Sequence, residues 1–123
     1  MSSAAAQAYA RVANTTASPR EIEAQALLKA ANKLHAAMTN PDASYAQMSE
    51  ALIYNRKLWS IFLSEAQRDE NPQSLQVRQN IANISVFVLS QTAALQMSPQ
   101  REHFKPLIEI NRNIAAGLSG RPD

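Results

Sequence analysis

The chain has 123 residues, 46% hydrophobic and 18% charged, with a formal net charge of +2 and no cysteine. That length suits one domain around a single core, and the missing thiols exclude a disulfide framework, a thiolate zinc site and a cysteine nucleophile. Only two glycines occur, Gly117 and Gly120, which excludes a turn-rich sheet protein and predicts long helices joined by short breaks.

Residues 1–17 read as a small-residue arm. Ala4 to Ala13 favours a short helix through its alanines, and Asn14-Thr15-Thr16 breaks it. A frayed terminus is the expectation, with a docking arm as the alternative. Met1 to Val12 lacks the early basic residues and apolar run of a signal peptide. No stretch approaches the ~18 consecutive apolar residues of a membrane span. A cytoplasmic protein with no membrane contact is expected.

The first clear helix is predicted over 18–39. Ser18 with Glu21 forms a capping box, and Pro19 takes the first helical position. Its apolar line is Ala24, Leu27, Ala31, Leu34 and Met38, and Asn40-Pro41 ends it. A second helix, over 44–68, starts at Ser44 with Gln47 as capping-box partner. Its line is Tyr45, Met48, Leu52, Asn55, Trp59, Phe62 and Ala66, widened on one flank by Tyr54, Leu58 and Ile61.

A third helix is predicted over 72–97, with Asn71 as cap and Pro72 as first residue. Its line is Val77, Asn80, Ile84, Phe87, Gln91 and Leu95, flanked by Ile81 and Val88. Ser85 to Leu89 resembles a strand locally, but the helical spacing continues on both sides of it. Ser98-Pro99 opens a short turn toward His103, and a last helix follows to residue 117, with Pro106 in its first turn. Its line is Phe104, Leu107, Asn111, Ile114 and Leu118, with Gly117 or Gly120 as the stop. Residues 119–123 are a tail. Four helices with short connections predict an all-α, antiparallel, bundle-like fold over a single domain, 1–123.

Asn55, Asn80 and Asn111 each fall on the apolar line of their helix, counting ~100° per residue. A buried amide must find partners or cost several kcal/mol. A shared polar layer is therefore predicted, either as a register device or as the lining of a partner groove.

The sequence carries no recognisable catalytic constellation. His35 and His103 are isolated, no glycine-rich phosphate loop fits residues 1–116, and no carboxylates are spaced for paired acid–base work. No enzyme activity, metal or cofactor is expected. Trp59 reads as core, with an interface anchor as the alternative. Arg56-Lys57 is the one adjacent basic pair and reads as a solvated rim, so direct nucleic-acid binding is not expected.

Four blocks carry a family resemblance. They are Ser18-Pro19-Arg20-Glu21-Ile22-Glu23-Ala24; Ala51-Leu52-Ile53-Tyr54-Asn55-Arg56-Lys57-Leu58-Trp59 with Ile61-Phe62; Arg78-Gln79-Asn80-Ile81-Ala82-Asn83; and Ile110-Asn111-Arg112 with Ile114-Ala115-Ala116-Gly117-Leu118. In order and spacing the chain resembles FlaF, the flagellin-synthesis regulator of alphaproteobacterial flagellar systems, from Tyr9 to Leu118. Asn113 stands where an acid is usual, and Ser85 where glycine is common. The resemblance implies a non-catalytic factor that binds flagellin as a chaperone, promotes its synthesis and secretion, and works with or against the translational repressor FlbT. Its blocks match at Tyr54, Asn55, Arg56, Trp59, Arg78, Asn80, Asn83, Asn111 and Arg112.

An apolar face wide enough to shield an amphipathic flagellin helix is expected around Tyr54, Leu58, Ile61 and Phe62, with Ile81 and Val88 on the third helix. Arg56, Trp59, Arg78 and Arg112 complete the candidate contact set. Two other readings stand beside this one. A direct regulator of flagellin message would use Arg56-Lys57, Arg78 and Arg112 clustered on one face. An adaptor would bind FlbT without touching flagellin.

Overall fold

A computed structural model describes residues 19–119. It contains α1 (Pro19–Thr39), α2 (Tyr45–Ala66), α3 (Leu75–Met97), a 3-10 turn (Arg101–His103) and α4 (Phe104–Leu118), with no strand among the described residues. The predicted cap Ser18, the arm 1–17 and Gly120 lie outside the described residues.

Local chemistry sets the helix ends. Ser44 Oγ accepts from Gln47 N at 3.1 Å while Gln47 Oε1 accepts from Ser44 N at 2.8 Å, the reciprocal box predicted for α2. The start of α3 is a correction: its cap is Ser74, whose Oγ accepts from Val77 N at 3.2 Å. Asn71 is already committed elsewhere. Its Oδ1 accepts from Gln73 N at 2.9 Å, and its Nδ2 donates to Glu65 O at 2.8 Å, closing the turn after α2. That helix ends at Ala66, two residues before the predicted limit, where Arg78 Nε reaches back to Ala66 O at 2.9 Å. Gly117 is helical and does not stop α4. The helix ends at Ser119, whose N–H and Oγ both bond Ala115 O. Pro106 is the third residue of α4, where its missing N–H costs no helical bond.

The helices form an antiparallel bundle. Glu23, early in α1, feels the charge of Glu65 at the end of α2. Tyr45 Oη, at the start of α2, donates to Gln96 O near the end of α3. Arg101, just before α4, donates to Pro41 O, just after α1, at 3.0 Å. The packed pairs are α1–α4, α2–α3 and α1–α2, while α3 and α4 make glancing contact at most. Among the described residues the ring of four helices is thus closed on three sides and open between α3 and α4.

Small residues explain the closest packing. On α1, Ala24, Ala30, Ala31 and Ala37 are buried between Leu27 and Leu34, so the α4 backbone can approach closely. Phe104, Leu107 and Ile108 fill that interface from α4, and Leu52 and Trp59 fill the centre from α2. Each fully buried side chain of this size stabilises the fold by about 1.5–3 kcal/mol.

The buried face of α3 is a second correction. The predicted line through Val77, Asn80, Phe87 and Gln91 faces outward, and the buried residues are Ser85, Val88, Thr92 and Leu95. Two of these carry hydroxyls. Ser85 Oγ donates to Ile81 O at 2.7 Å and Thr92 Oγ1 to Val88 O at 2.6 Å. Because each hydroxyl bonds within its own helix, it can be buried without a partner elsewhere. Larger apolar side chains on α3 are left outside.

Candidate functional site

A chain of buried hydrogen bonds crosses the bundle. Trp59 Nε1 donates to Asn111 Oδ1 at 2.9 Å, Asn111 Nδ2 to Asn55 Oδ1 at 2.7 Å, and Asn55 Nδ2 to Thr92 Oγ1 at 3.4 Å. Thr92 passes its own proton to the Val88 carbonyl. The path therefore runs α2, α4, α2, α3. Asn55, Asn111 and Thr92 are fully buried, and Trp59 is 2% exposed. No buried side-chain N or O among the described residues lacks a partner. This layer pins three helices in register and gives the indole a fixed seat beside the Phe62 ring, 5.2 Å away edge to face.

Asn80 is not part of this layer. It is exposed, because the buried face of α3 is rotated away from it, and Thr92 supplies the third-helix member. Trp59 is likewise enclosed and offers no surface to a partner. Val88 is fully buried.

The remaining predicted contact residues divide. Tyr54 is half-buried, with Lys29 and Lys33 of α1 placing their Nζ atoms 5.6 and 5.3 Å from its ring centroid. Leu58, Phe62 and Ile81 are partly buried, and Ile61 stands 58% exposed. Arg56 is exposed and reaches Gln96 Oε1 at 3.3 Å, Arg78 caps α2, and Arg112 is exposed on α4. The Arg56 and Arg78 contacts sit near opposite ends of α3. Residues 78 to 96 of a helix rise ~27 Å. The charges do not form one patch.

A second apolar surface lies at the open seam. Asn83, Ile84 and Phe87 of α3 face Ile110, Asn113 and Ile114 of α4 across a groove of about 400 Å³. Phe87 is 50% exposed, and Ile84, Ile110 and Ile114 are half-buried, with their inner sides against the core. No charged side chain lines it. Two features of the sequence point to this groove when taken together. Ile84 and Phe87 share one helical line of α3, and Ile110 and Asn113 flank the line of Asn111 and Ile114 on α4.

Electrostatics elsewhere are mild. The Glu23 carboxyl is pushed above its ordinary range, first by burial and then by Glu65, with Arg20 opposing. Among the described residues no three His, Cys, Asp or Glu side chains gather to hold a metal, and no helix is long and apolar enough to cross a membrane.

The family model described as flagellar protein FlaF matches residues 5–118. The chain belongs to the FlaF family. Searches of curated proteins and of solved structures found no match. Within this FlaF chain the resembling residues separate by role in the fold. Asn55, Trp59, Asn111 and Arg78 make internal hydrogen bonds. Asn80, Asn83, Arg56 and Arg112 are exposed, and Asn83 is the one of these that lines the groove.

Proposed function

We propose that this flagellar-family chain is a non-enzymatic chaperone that binds flagellin in the cytoplasm and promotes its synthesis and secretion, in a pathway with FlbT. The observation that carries the reading is the open α3–α4 groove, apolar and uncharged, on a bundle otherwise closed. An amphipathic helix laid into it acts as a fifth helix, its apolar line against Ile84, Phe87, Ile110 and Ile114 and its polar flank beside Asn83 and Asn113. A terminal flagellin segment that is disordered before assembly fits that role, because binding hides its apolar face. Ordering it costs several kcal/mol, offset by apolar burial at about 25 cal/mol per Å².

Co-elution of purified protein with monomeric flagellin, and slower flagellin aggregation in its presence, are the outcomes this reading expects. Flagellin that elutes alone and aggregates at its own rate removes it. Binding to FlbT alone would then make the chain an adaptor, and steeply salt-dependent binding to flagellin leader RNA would make it a message-binding regulator.

A further inference from the structure

Between Arg78 and Arg101 the chain carries no charged residue. This stretch is nearly all of α3, so the face that α3 turns outward is uncharged. The other helices expose charge, such as Lys29 on α1, Lys57 on α2 and Arg112 on α4. A helix face that stays in water usually carries charge, whereas the centre of a protein interface is depleted of it. In place of charge the α3 face presents apolar side chains: Val86 is 58%, Phe87 50% and Met97 87% exposed.

The same face has the spacing of a two-helix seam. Asn80, Asn83, Phe87, Ser90, Ala94 and Met97 recur at alternating steps of three and four, the a and d positions of a heptad, and all are exposed. Laid antiparallel on a second copy of itself about a two-fold axis, this line pairs an a position with a d position in every layer. Phe87 meets Ser90, Asn83 meets Ala94 and Asn80 meets Met97, each in both directions. The inner layers set a larger side chain against a smaller one, which lets facing positions interdigitate without voids. The outermost layers place Asn80 at the rim, where water reaches its amide, and an aromatic centre with a polar rim is the anatomy of an interface. A parallel pairing would instead stack Phe87 on Phe87 and leave Ser90 facing Ser90, a bulge beside a gap. With no charge on the line, self-pairing meets no like-charge repulsion across the axis.

We infer that two copies of this chain associate through the exposed face of α3, antiparallel about a two-fold axis, with Phe87 of each copy packed on Ser90 of the other. The seam is ~26 Å long, so the dimer is reversible and concentration-dependent. It shares Asn83 and Phe87 with the α3–α4 groove, and self-association therefore covers the α3 wall of that groove. A client helix and a second copy exclude each other. That exclusion rests on the function proposed above, while the dimer does not.

Sedimentation equilibrium of the full-length protein at low and high salt reads the association. A monomer–dimer equilibrium that salt does not weaken is expected. Ser90→Phe, at an exposed position, should weaken it at least about tenfold by setting ring on ring. Adding Phe87→Ser to that variant should restore the dimer by exchanging the large and small partners. In the cysteine-free chain, Asn83→Cys combined with Ala94→Cys should give disulfide-linked dimers under mild oxidation, and neither single variant should. The two positions stand ~16 Å apart along one helix, beyond the reach of an intramolecular bridge. A protein that stays monomeric up to about 1 mM overturns the inference. So does a dimer that Ser90→Phe leaves untouched, or single-cysteine variants that cross-link as fast as the double. Flagellin that dissolves the dimer supports the exclusion, and flagellin bound to the intact dimer overturns the exclusion alone. A dimer that forms in a protein with no affinity for flagellin supports this inference while the proposed function falls.

Discussion

Removing Asn111 should cut α4 from the polar layer at both of its bonds to α2. The Asn111→Ala change leaves Trp59 Nε1–H without an acceptor and Asn55 Oδ1 without a donor, both in the buried centre. Each orphaned group costs about 1–3 kcal/mol, so a loss of about 2–6 kcal/mol is expected, a large share of the roughly 5–15 kcal/mol that holds a domain of this size. Trp59→Phe removes the donor from the other side and leaves Asn111 Oδ1 unpaired. In the double variant the Trp59–Asn111 bond has no surviving half. The two single losses should therefore exceed the double loss by about 1–3 kcal/mol. Urea unfolding followed by far-ultraviolet circular dichroism gives all four stabilities, since the sole tryptophan is removed in two of the variants. Losses that add to within about 0.5 kcal/mol would refute the coupled layer.

Further outcomes follow from the same contacts. Burial and Glu65 raise the Glu23 pKa, so the folded state holds that proton more tightly than the unfolded chain does. Its contribution is full below the unfolded pKa and is lost as pH rises through the folded one. Glu23→Gln should accordingly raise Tm at neutral pH and give no gain near pH ~3, read by thermal melts at both. Ser74→Ala should cost about 1 kcal/mol by exposing the first turn of α3, and Asn71→Ala should cost a similar amount by freeing the Glu65 carbonyl. Both are measured by urea denaturation, and a stability unchanged by Ser74→Ala would return the cap to Asn71. Phe87→Ser should change stability by less than about 1 kcal/mol, because half of that ring is already in water.

Much of this architecture was legible in the chain. Proline after a polar cap, helical spacing and the near absence of glycine fix the number, order and approximate limits of the helices. The asparagines on two apolar lines, Asn55 and Asn111, announced a polar layer because a polar residue on a core line must be partnered. The third helix departs from its hydropathy pattern for a physical reason. It carries apolar residues on two faces, and the buried one includes Ser85 and Thr92, whose hydroxyls are satisfied by carbonyls one turn back. A hydropathy pattern counts those residues as polar and places the helix about one flank out of register, which turned Asn80 inward and hid the outward face of Phe87. The candidate face on α2 is only partly open in the structure. There Tyr54 lies under two lysines, Leu58 and Phe62 pack partly against the core, and Ile61 stays exposed. Asn71 takes the turn and not the cap, because asparagine suits both equally and only the spatial position of Glu65 decides between them.

Titration calorimetry of the full-length protein and its Phe87→Ser variant against monomeric flagellin tests the central claim most directly. Saturable binding with a negative heat-capacity change, weakened by at least about tenfold in the variant, is the predicted result. Binding of equal strength to both proteins would contradict the groove as the flagellin site, and no heat from either would contradict the chaperone.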